Sequence, residues 1–330
     1  MTTATMRALF GGLGPAWEAR ETAVPEPGAG QIRARVHAAG LNRADLFMLD
    51  GSYNPNTKTS SVYPAGFEFA GVVDALGEGV TGLSVGERVM GVGLGAFAEY
   101  AAVDARHVIP VPELLSWTDA ASLPIGLATE YDALVQADFT PEMRVLVIGA
   151  TSSVGLAGVQ IAKAVGASQV IATTTSAAKA NTLLAYGADV VVDTSVEKLA
   201  EAVSAATGNA GVDIVLDHVG GRLFADALGA TAVGGTVVSI GRLAGTESAI
   251  DLNLLAFRRL RLLGTTFSIR TPDELAEVCA VVTDAVVPLV ADGRVRAVVD
   301  RVFGFDHAYP AAEYMRSNQA VGKIVLEVAS

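Results

Sequence analysis

The sequence predicts an α/β protein in which a doubly wound parallel sheet is inserted into a β-rich domain. Three observations carry that expectation. The chain has 330 residues, long for one core, so two domains are expected. Near residue 123 its grammar changes from strands punctuated by Gly and Pro to alternating short apolar strands and helical stretches. The first of those apolar strands, Arg144–Ile148, runs into a Gly/Ala/Ser turn and then an amphipathic stretch carrying Val154, Val159, Ile161 and Val165. That is the outline of a dinucleotide-binding turn.

Taken in order, QIRARVHAAGL alternates polar and apolar residues, and FEFAGVVDAL, ERVMGV and GAFAEYAAV follow as further strand-like runs. Beyond the change of grammar, strands are predicted at Arg144–Ile148, Gln169–Thr173, Val190–Val192, Val212–Leu216 and Thr236–Ile240, with helices between them. Alternation of this kind gives βαβ units with right-handed crossovers. Leu260–Phe267 supplies a sixth strand. A helix from Pro272 to about Ala291, a strand near Ala297–Phe303, a short helix near His307–Arg316 and a last strand Lys323–Val328 close the chain. Residues 1–122 and 268–330 are therefore expected to form one domain and 123–267 the inserted one. The expected ligand site is a cleft between them, at the carboxyl ends of the parallel strands.

Composition narrows the function. Hydrophobic residues make up 51% of the chain and mean hydropathy is +0.43, yet no apolar run approaches the ~18 residues of a membrane span. The first residues, MTTATMRALFGG, lack the apolar core of a signal peptide, so a cytoplasmic protein is expected. The formal charge of −12 and the absence of any basic block beyond Arg258-Arg259-Leu260-Arg261 argue against a nucleic-acid partner. A single cysteine, Cys279, excludes an internal disulfide and a Cys-rich zinc site. The four histidines, His37, His107, His218 and His307, show no metal-binding spacing.

The turn itself reads Ala150-Thr151-Ser152-Ser153-Val154-Gly155 where the usual fingerprint has G-x-G-x-x-G. Gly155 keeps the glycine that lets helix and strand pack closely, and Ala150 is a small loss. Ser152 is the departure: its side chain crowds a pyrophosphate unless its hydroxyl donates to it. With Thr151 and Ser153, the turn offers three hydroxyls beside the amides of a helix N-terminus. The alternative is that Ser152 or Ser153 simply caps the helix.

The end of the second strand reads Thr174-Thr175-Ser176, with Lys179 following. An enzyme using NAD places a carboxylate there for the ribose hydroxyls. Here hydroxyls can donate to a 2′-phosphate and Lys179 can neutralise it, so NADPH is the expected cofactor.

In order and spacing, the segments AAGLNRADLFMLDGSY, YPAGFEFAGVVDALGEGV, VGERVMGV, GAFAEYAAV, SLPIGLATEYDAL, the turn, DHVGG and VGKIVL resemble the medium-chain dehydrogenase/reductase superfamily. Within it they resemble the zinc-free quinone oxidoreductases and enoyl reductases. The resemblance implies a Rossmann cofactor domain inserted into a GroES-like catalytic domain. Zinc-dependent members carry a Cys where this chain has Asn42 and a His where it has Phe67, and their further ligand falls near Ile125. With no tetrahedral donor set there, no metal is expected. Hydride delivery to an acceptor that is already electrophilic is what the resemblance leaves, either a quinone or an enone.

The resemblance also implies roles. Asn42 faces the nicotinamide, Thr129 contacts its carboxamide or ribose, and Val219–Gly220 and Ile240–Gly241 line the cofactor. Thr194, Phe267, Asn318 and Lys323 stand at further cofactor-facing positions. Tyr53, eleven residues after Asn42, matches the proposed proton-donating tyrosine of the enoyl reductases; the alternative is a tyrosine that merely lines the cleft. Residues 54–64 are expected to form a mobile loop over the substrate entrance, and Asp45 to cap a short helix or orient its loop. His218 is expected to be structural, whereas Glu130 is either a buried ion partner or a substrate contact. Three functions follow: a reductase of quinones or enones, a pathway-specific enoyl thioester reductase, and an NADPH-binding protein without turnover. The apolar segment Leu260–Phe267 resembles the sheet-edge strand through which relatives pair, so a homodimer is expected.

Overall fold

The computed structural model describes residues 4–53 and 61–328. The chain divides into two compact units. One comprises Met1–Ile125, Ser268–Ala291 and Ala297–Ser330, and the other Gly126–Phe267 with Asp292–Arg296.

In the first unit the strands are β1 (Thr5–Gly11), β2 (Glu18–Ala23), β3 (Gln31–Leu41), β4 (Tyr63–Pro64), β5 (Glu68–Leu76), β6 (Arg88–Val92), β7 (Tyr100–Asp104) and β8 (Val108–Pro110). Helix α1 (Arg43–Leu49) follows β3, and α2 (Trp117–Ala121) precedes α3 (Pro124–Gln136), whose body enters the second unit. Strand β3 is the hub. It pairs antiparallel with β5 and β7, and its last residues, Ala38–Leu41, pair with the closing strand of the chain. The polar/apolar alternation of QIRARVHAAGL does this: Ile32, Ala34, Val36 and Ala38 are fully buried on one face. Phe69, Val73, Val89 and Val103 complete that core.

The second unit holds β9 (Arg144–Ile148), α4 (Ser153–Ala164), β10 (Gln169–Thr174), α5 (Ala180–Ala185), β11 (Val190–Asp193), α6 (Leu199–Ala206), β12 (Val212–Asp217), α7 (Gly221–Ala230), β13 (Thr231–Ser239), α8 (Leu252–Phe257) and β14 (Arg261–Gly264). Its six strands lie in the order β11-β10-β9-β12-β13-β14, every neighbouring pair parallel. This is a doubly wound Rossmann sheet, and the strand order reverses between β9 and β12, where such sheets bind ligands. Val145, Leu146, Val147 and Ile148 are all fully buried, as a parallel strand covered on both faces requires.

The tail forms α9 (Pro272–Ala285), α10 (Val287–Ala291), β15 (Val299–Gly304), α11 (Ala308–Arg316) and β16 (Lys323–Glu327). The single helix expected over Pro272–Ala291 is broken at Val286, because Pro288 has no N–H to donate and its ring clashes with the preceding turn. The sixth strand is shorter than Leu260–Phe267, ending at Gly264. Among the described residues, no helix is long and apolar enough to cross a membrane.

Candidate functional site

Two groups of residues carry the chemistry, one in each unit. In the Rossmann unit they gather at the carboxyl ends of β9, β10, β12 and β13.

The turn after β9 begins with Gly149 at φ +80°, a left-handed conformation that costs glycine little. A Cβ there would also sit 2.9 Å from Val219 Cγ2. The Gly149 N–H donates to Thr173 Oγ1 at 3.0 Å, which ties the turn to the neighbouring strand. Ser152 is the N-cap of α4: its Oγ accepts from the Gly155 N–H at 3.0 Å and donates to the Gly149 carbonyl at 3.0 Å. The Ser152 hydroxyl thus serves as the helix cap in this structure, the alternative to its expected contact with a pyrophosphate. Gly155 is required because a Cβ would lie 2.7 Å from Ala150 Cα. Of the first four helical amides, those of Gly155 and Leu156 are taken by Ser152. The amides of Ser153 and Val154 remain for an anionic group. Ala150, Thr151 and Val154 lie in the turn and first helical residues that frame these amides.

At the end of β10, Thr174 is buried and its hydroxyl is folded onto its own turn. It accepts from the Ser176 N–H at 3.1 Å and donates to the Ser176 carbonyl at 3.2 Å. Thr174 therefore shapes this loop, while Thr175 is exposed and Ser176 and Lys179 are half-buried. Thr194 secures the loop from β11, donating through both its N–H (2.9 Å) and its hydroxyl (3.2 Å) to the Thr174 carbonyl. Asp193, opposite Thr174 in register, takes up the Ser195 hydroxyl at 2.6 Å and N–H at 3.0 Å. Ser195 holds that carboxyl below its ordinary range.

At the end of β12 the sequence reading missed Asp217. Its buried carboxylate accepts from the N–H groups of Val219 (2.9 Å) and Gly220 (3.1 Å) and builds the turn into α7. Its backbone carbonyl accepts from Ile240 (2.8 Å) and Gly241 (3.0 Å), so the two glycine-bearing loops share one anchor. The signal was present as D-x-V-G, an Asx turn at a strand end. Thr129 is buried on α3, and its neighbour Glu130, fully buried, pairs with His218 at 3.1 Å. Phe267 is half-buried just past β14.

In the other unit, Lys323 is fully buried on β16. Its ammonium donates to Asn42 Oδ1 at 2.7 Å and is ion-paired with Glu68. Asn42 Nδ2 donates to Glu68 Oε1 at 2.7 Å, and the Ile125 N–H donates to the other Glu68 oxygen at 2.8 Å. The Lys323 ammonium is thus enclosed by Asn42 and Glu68, and Asn42 has both polar side-chain atoms engaged inside its own unit. The missed residue is Glu68, legible as the acid of G-x-E but not as the centre of a network. Asp45 accepts from the Asn42 N–H at 2.8 Å, as expected of a loop-orienting residue. Its second oxygen has no partner among the described residues, and burial, the largest influence, pushes its pKa up to about 8.

Tyr53 stands beside Phe67, with ring centroids 5.3 Å apart. Residues 54–60 of the expected entrance loop lie outside the described residues. Asn318, past α11 at φ +56°, accepts from Arg43 Nη2 at 2.7 Å.

A nicotinamide dinucleotide fits the Rossmann residues: a glycine turn, two amides and two further strand-end loops meet at one switch point. Zinc does not fit the Asn42–Glu68 cluster. Phe67 offers no donor, Asn42 is neutral, and an ammonium already supplies the positive charge. Among the described residues, no group of three or more His, Cys, Asp or Glu side chains could hold a metal ion.

Comparison with known proteins agrees with this geometry. Residues 28–113 match the family model described as alcohol dehydrogenase GroES-like domain, and residues 153–284 match zinc-binding dehydrogenase. Quinone oxidoreductase-like protein 2 of Bos taurus is 29% identical over 300 residues, covering 90% of this chain and 85% of that protein. The pikromycin polyketide synthase component PikAII of Streptomyces venezuelae is 35% identical over 318 residues, covering 94% of this chain but only 8% of that much longer protein. A quinone oxidoreductase structure from Pseudomonas syringae pv. Tomato DC3000 superposes with a TM-score of 0.85 at 26% identity, covering 98% of this chain and 100% of that one. The glycine turn, the parallel sheet and these matches across both units make the chain an oxidoreductase of the medium-chain dehydrogenase/reductase superfamily.

Proposed function

We propose that the chain is a zinc-independent, NADPH-dependent reductase that delivers hydride to a quinone or to the β-carbon of an α,β-unsaturated carbonyl. The observation that carries this reading is the Lys323 ammonium among Asn42 and Glu68. It leaves no donor set for a Lewis acid that would ionise an alcohol, so the acceptor must be electrophilic by itself.

A nicotinamide cofactor supplies hydride when bound. The chain's own part is to hold that cofactor and manage a proton. The amides of Ser153 and Val154 receive the pyrophosphate, and the loops after β12 and β13 line its path. At the adenosine end Thr175, Ser176 and Lys179 stand where an NAD enzyme has its acid, which favours a 2′-phosphate. The nearby Asp193 carboxylate is occupied by Ser195. Tyr53 is the candidate proton donor to the reduced acceptor. A cytoplasmic homodimer belongs to the same reading, supported by β14 at the sheet edge and by Phe257, 84% exposed at the end of the preceding helix α8.

The similarity to a polyketide synthase component favours a second reading, reduction of an enoyl thioester. A single set of assays separates them. NADPH oxidation is followed with a panel of quinones, enones and enoyl thioesters, with and without chelator. Quinone or enone turnover unaffected by chelator supports the first reading, and faster thioester turnover abolished by Tyr53→Phe supports the second. Tight NADPH binding with no turnover would leave only a binding role.

A further inference from the structure

Glu130 and His218 are the residues of the Rossmann unit that the proposed function does not use, and they are placed where they can control it. Glu130 immediately follows Thr129 on α3. His218 immediately precedes Val219–Gly220 at the end of β12. Both are more than nine-tenths buried, and Glu130 Oε1 lies 3.1 Å from His218 Nε2. The carboxylate is off the line of the ring N–H, so neither oxygen has an aligned donor among the described residues. The other oxygen packs on α4 at Gly158, whose missing side chain makes the room. The backbone around His218 is equally tight: its N–H donates to the Ile148 carbonyl at 3.2 Å, and a Cβ on Gly241 would overlap its carbonyl.

A buried ion pair of this kind is seldom a source of net stability, because both ions lose their water. What it fixes is geometry. Three segments meet on this pair: the helix bearing Thr129, the phosphate-turn helix α4, and the loop bearing Val219 and Gly220. We propose that Glu130 and His218 are positioning residues that hold these three segments in the arrangement a dinucleotide requires, so that cofactor affinity is linked to the proton on His218. The inference rests on the Rossmann unit binding a nicotinamide dinucleotide.

The direction of the linkage follows from the neighbours. The ionisable groups acting on His218 are Glu130 from α3 and Asp217 from its own strand; α4 presents Gly158. Burial pulls the imidazole pKa down, but the Glu130 carboxylate beside it, with the Asp217 charge, outweighs it and raises the pKa above its ordinary value. The pair is therefore favoured towards lower pH and lost as pH rises through the raised value. Above it the neutral imidazole no longer offers Glu130 a positive charge, and the segments lose their tie.

The test is calorimetric titration of the full chain with NADPH and with NADH across pH 6 to 9, in two buffers of different protonation enthalpy. The wild-type chain is expected to take up a proton on binding at the upper end of this range, with Kd weakening about fivefold or more across it. Glu130→Gln and His218→Gln are each expected to bind more weakly at pH 7 and to lose the pH dependence, which a purely structural role would not remove. Wild-type pH profiles retained by folded Glu130→Gln overturn the proposal. So does binding by the wild type without proton uptake, a result that decides the matter even where both variants fail to fold. Failure of both cofactors to bind would instead sink the functional reading on which the inference stands, and the inference with it.

Discussion

The buried ammonium of Lys323 lies 2.7 Å from the amide oxygen of Asn42, joining the last strand of the chain to the loop that follows β3. Glu68 completes the triangle. A buried cation removed from such a network leaves an unpaired carboxylate, which costs about 3–5 kcal/mol. Lys323→Met is therefore expected to lower the unfolding free energy by about that much. Lys323→Met combined with Glu68→Gln should recover most of the loss. Urea denaturation midpoints of the three proteins check it, and an unaltered midpoint for the single variant would contradict the network.

Asp45 makes the same unit sensitive to pH. Its pKa rises from an ordinary carboxylate value to about 8 through burial, with the Glu68 charge adding to it and the Asn42 N–H and Lys323 opposing it. The folded state thus holds a proton that the unfolded chain releases near pH 4. Stability from this group is greatest below that pH and declines as pH rises towards about 8. Asp45→Asn mimics the protonated form and should abolish the decline. Unfolding free energies of both proteins from pH 4 to 9 are the check; parallel curves would show that Asp45 does not titrate in this range.

Ser152 separates the two readings of the phosphate turn. As an N-cap, its replacement by Ala should cost about 1 kcal/mol of stability, and by Gly only a few tenths. Because the hydroxyl is spent on Gly155 and Gly149, Ser152→Gly should bind NADPH nearly as well as the wild type. A large loss of affinity in a stable Ser152→Gly protein would return the hydroxyl to the phosphate.

The sequence carried the sheet because its strands are short apolar runs rich in β-branched residues whose burial on both faces leaves few alternatives, as in Val145–Ile148. Asp217 and Thr174 show where local reading stops. Both sit at strand ends marked by recognisable turn residues, but which amide each side chain takes is decided by the loop's closure. Lys323 shows a longer-range limit. Its ammonium meets Asn42 only because β16 pairs with β3, a contact between residues 281 positions apart that no local pattern encodes. Glu130 was legible as an oddity, a carboxylate in an apolar helix, yet its partner lay four strands further along the chain, at the end of β12.

Gly158 offers the most direct probe of that partner. In an ordinary helix interior Gly→Ala gains about 1 kcal/mol. Here a Cβ would overlap the Glu130 carboxylate, which is buried and held by His218, so it cannot swing into solvent. Gly158→Ala is accordingly expected to destabilise by about 1–3 kcal/mol, the usual cost of overpacking. In a Glu130→Ala background the obstruction is gone, and the same substitution should become neutral or stabilising. A double-mutant cycle on thermal or urea unfolding measures the difference. A reversal of sign would locate the strain at the Glu130–Gly158 contact, and additive effects would show that the carboxylate is free to move away.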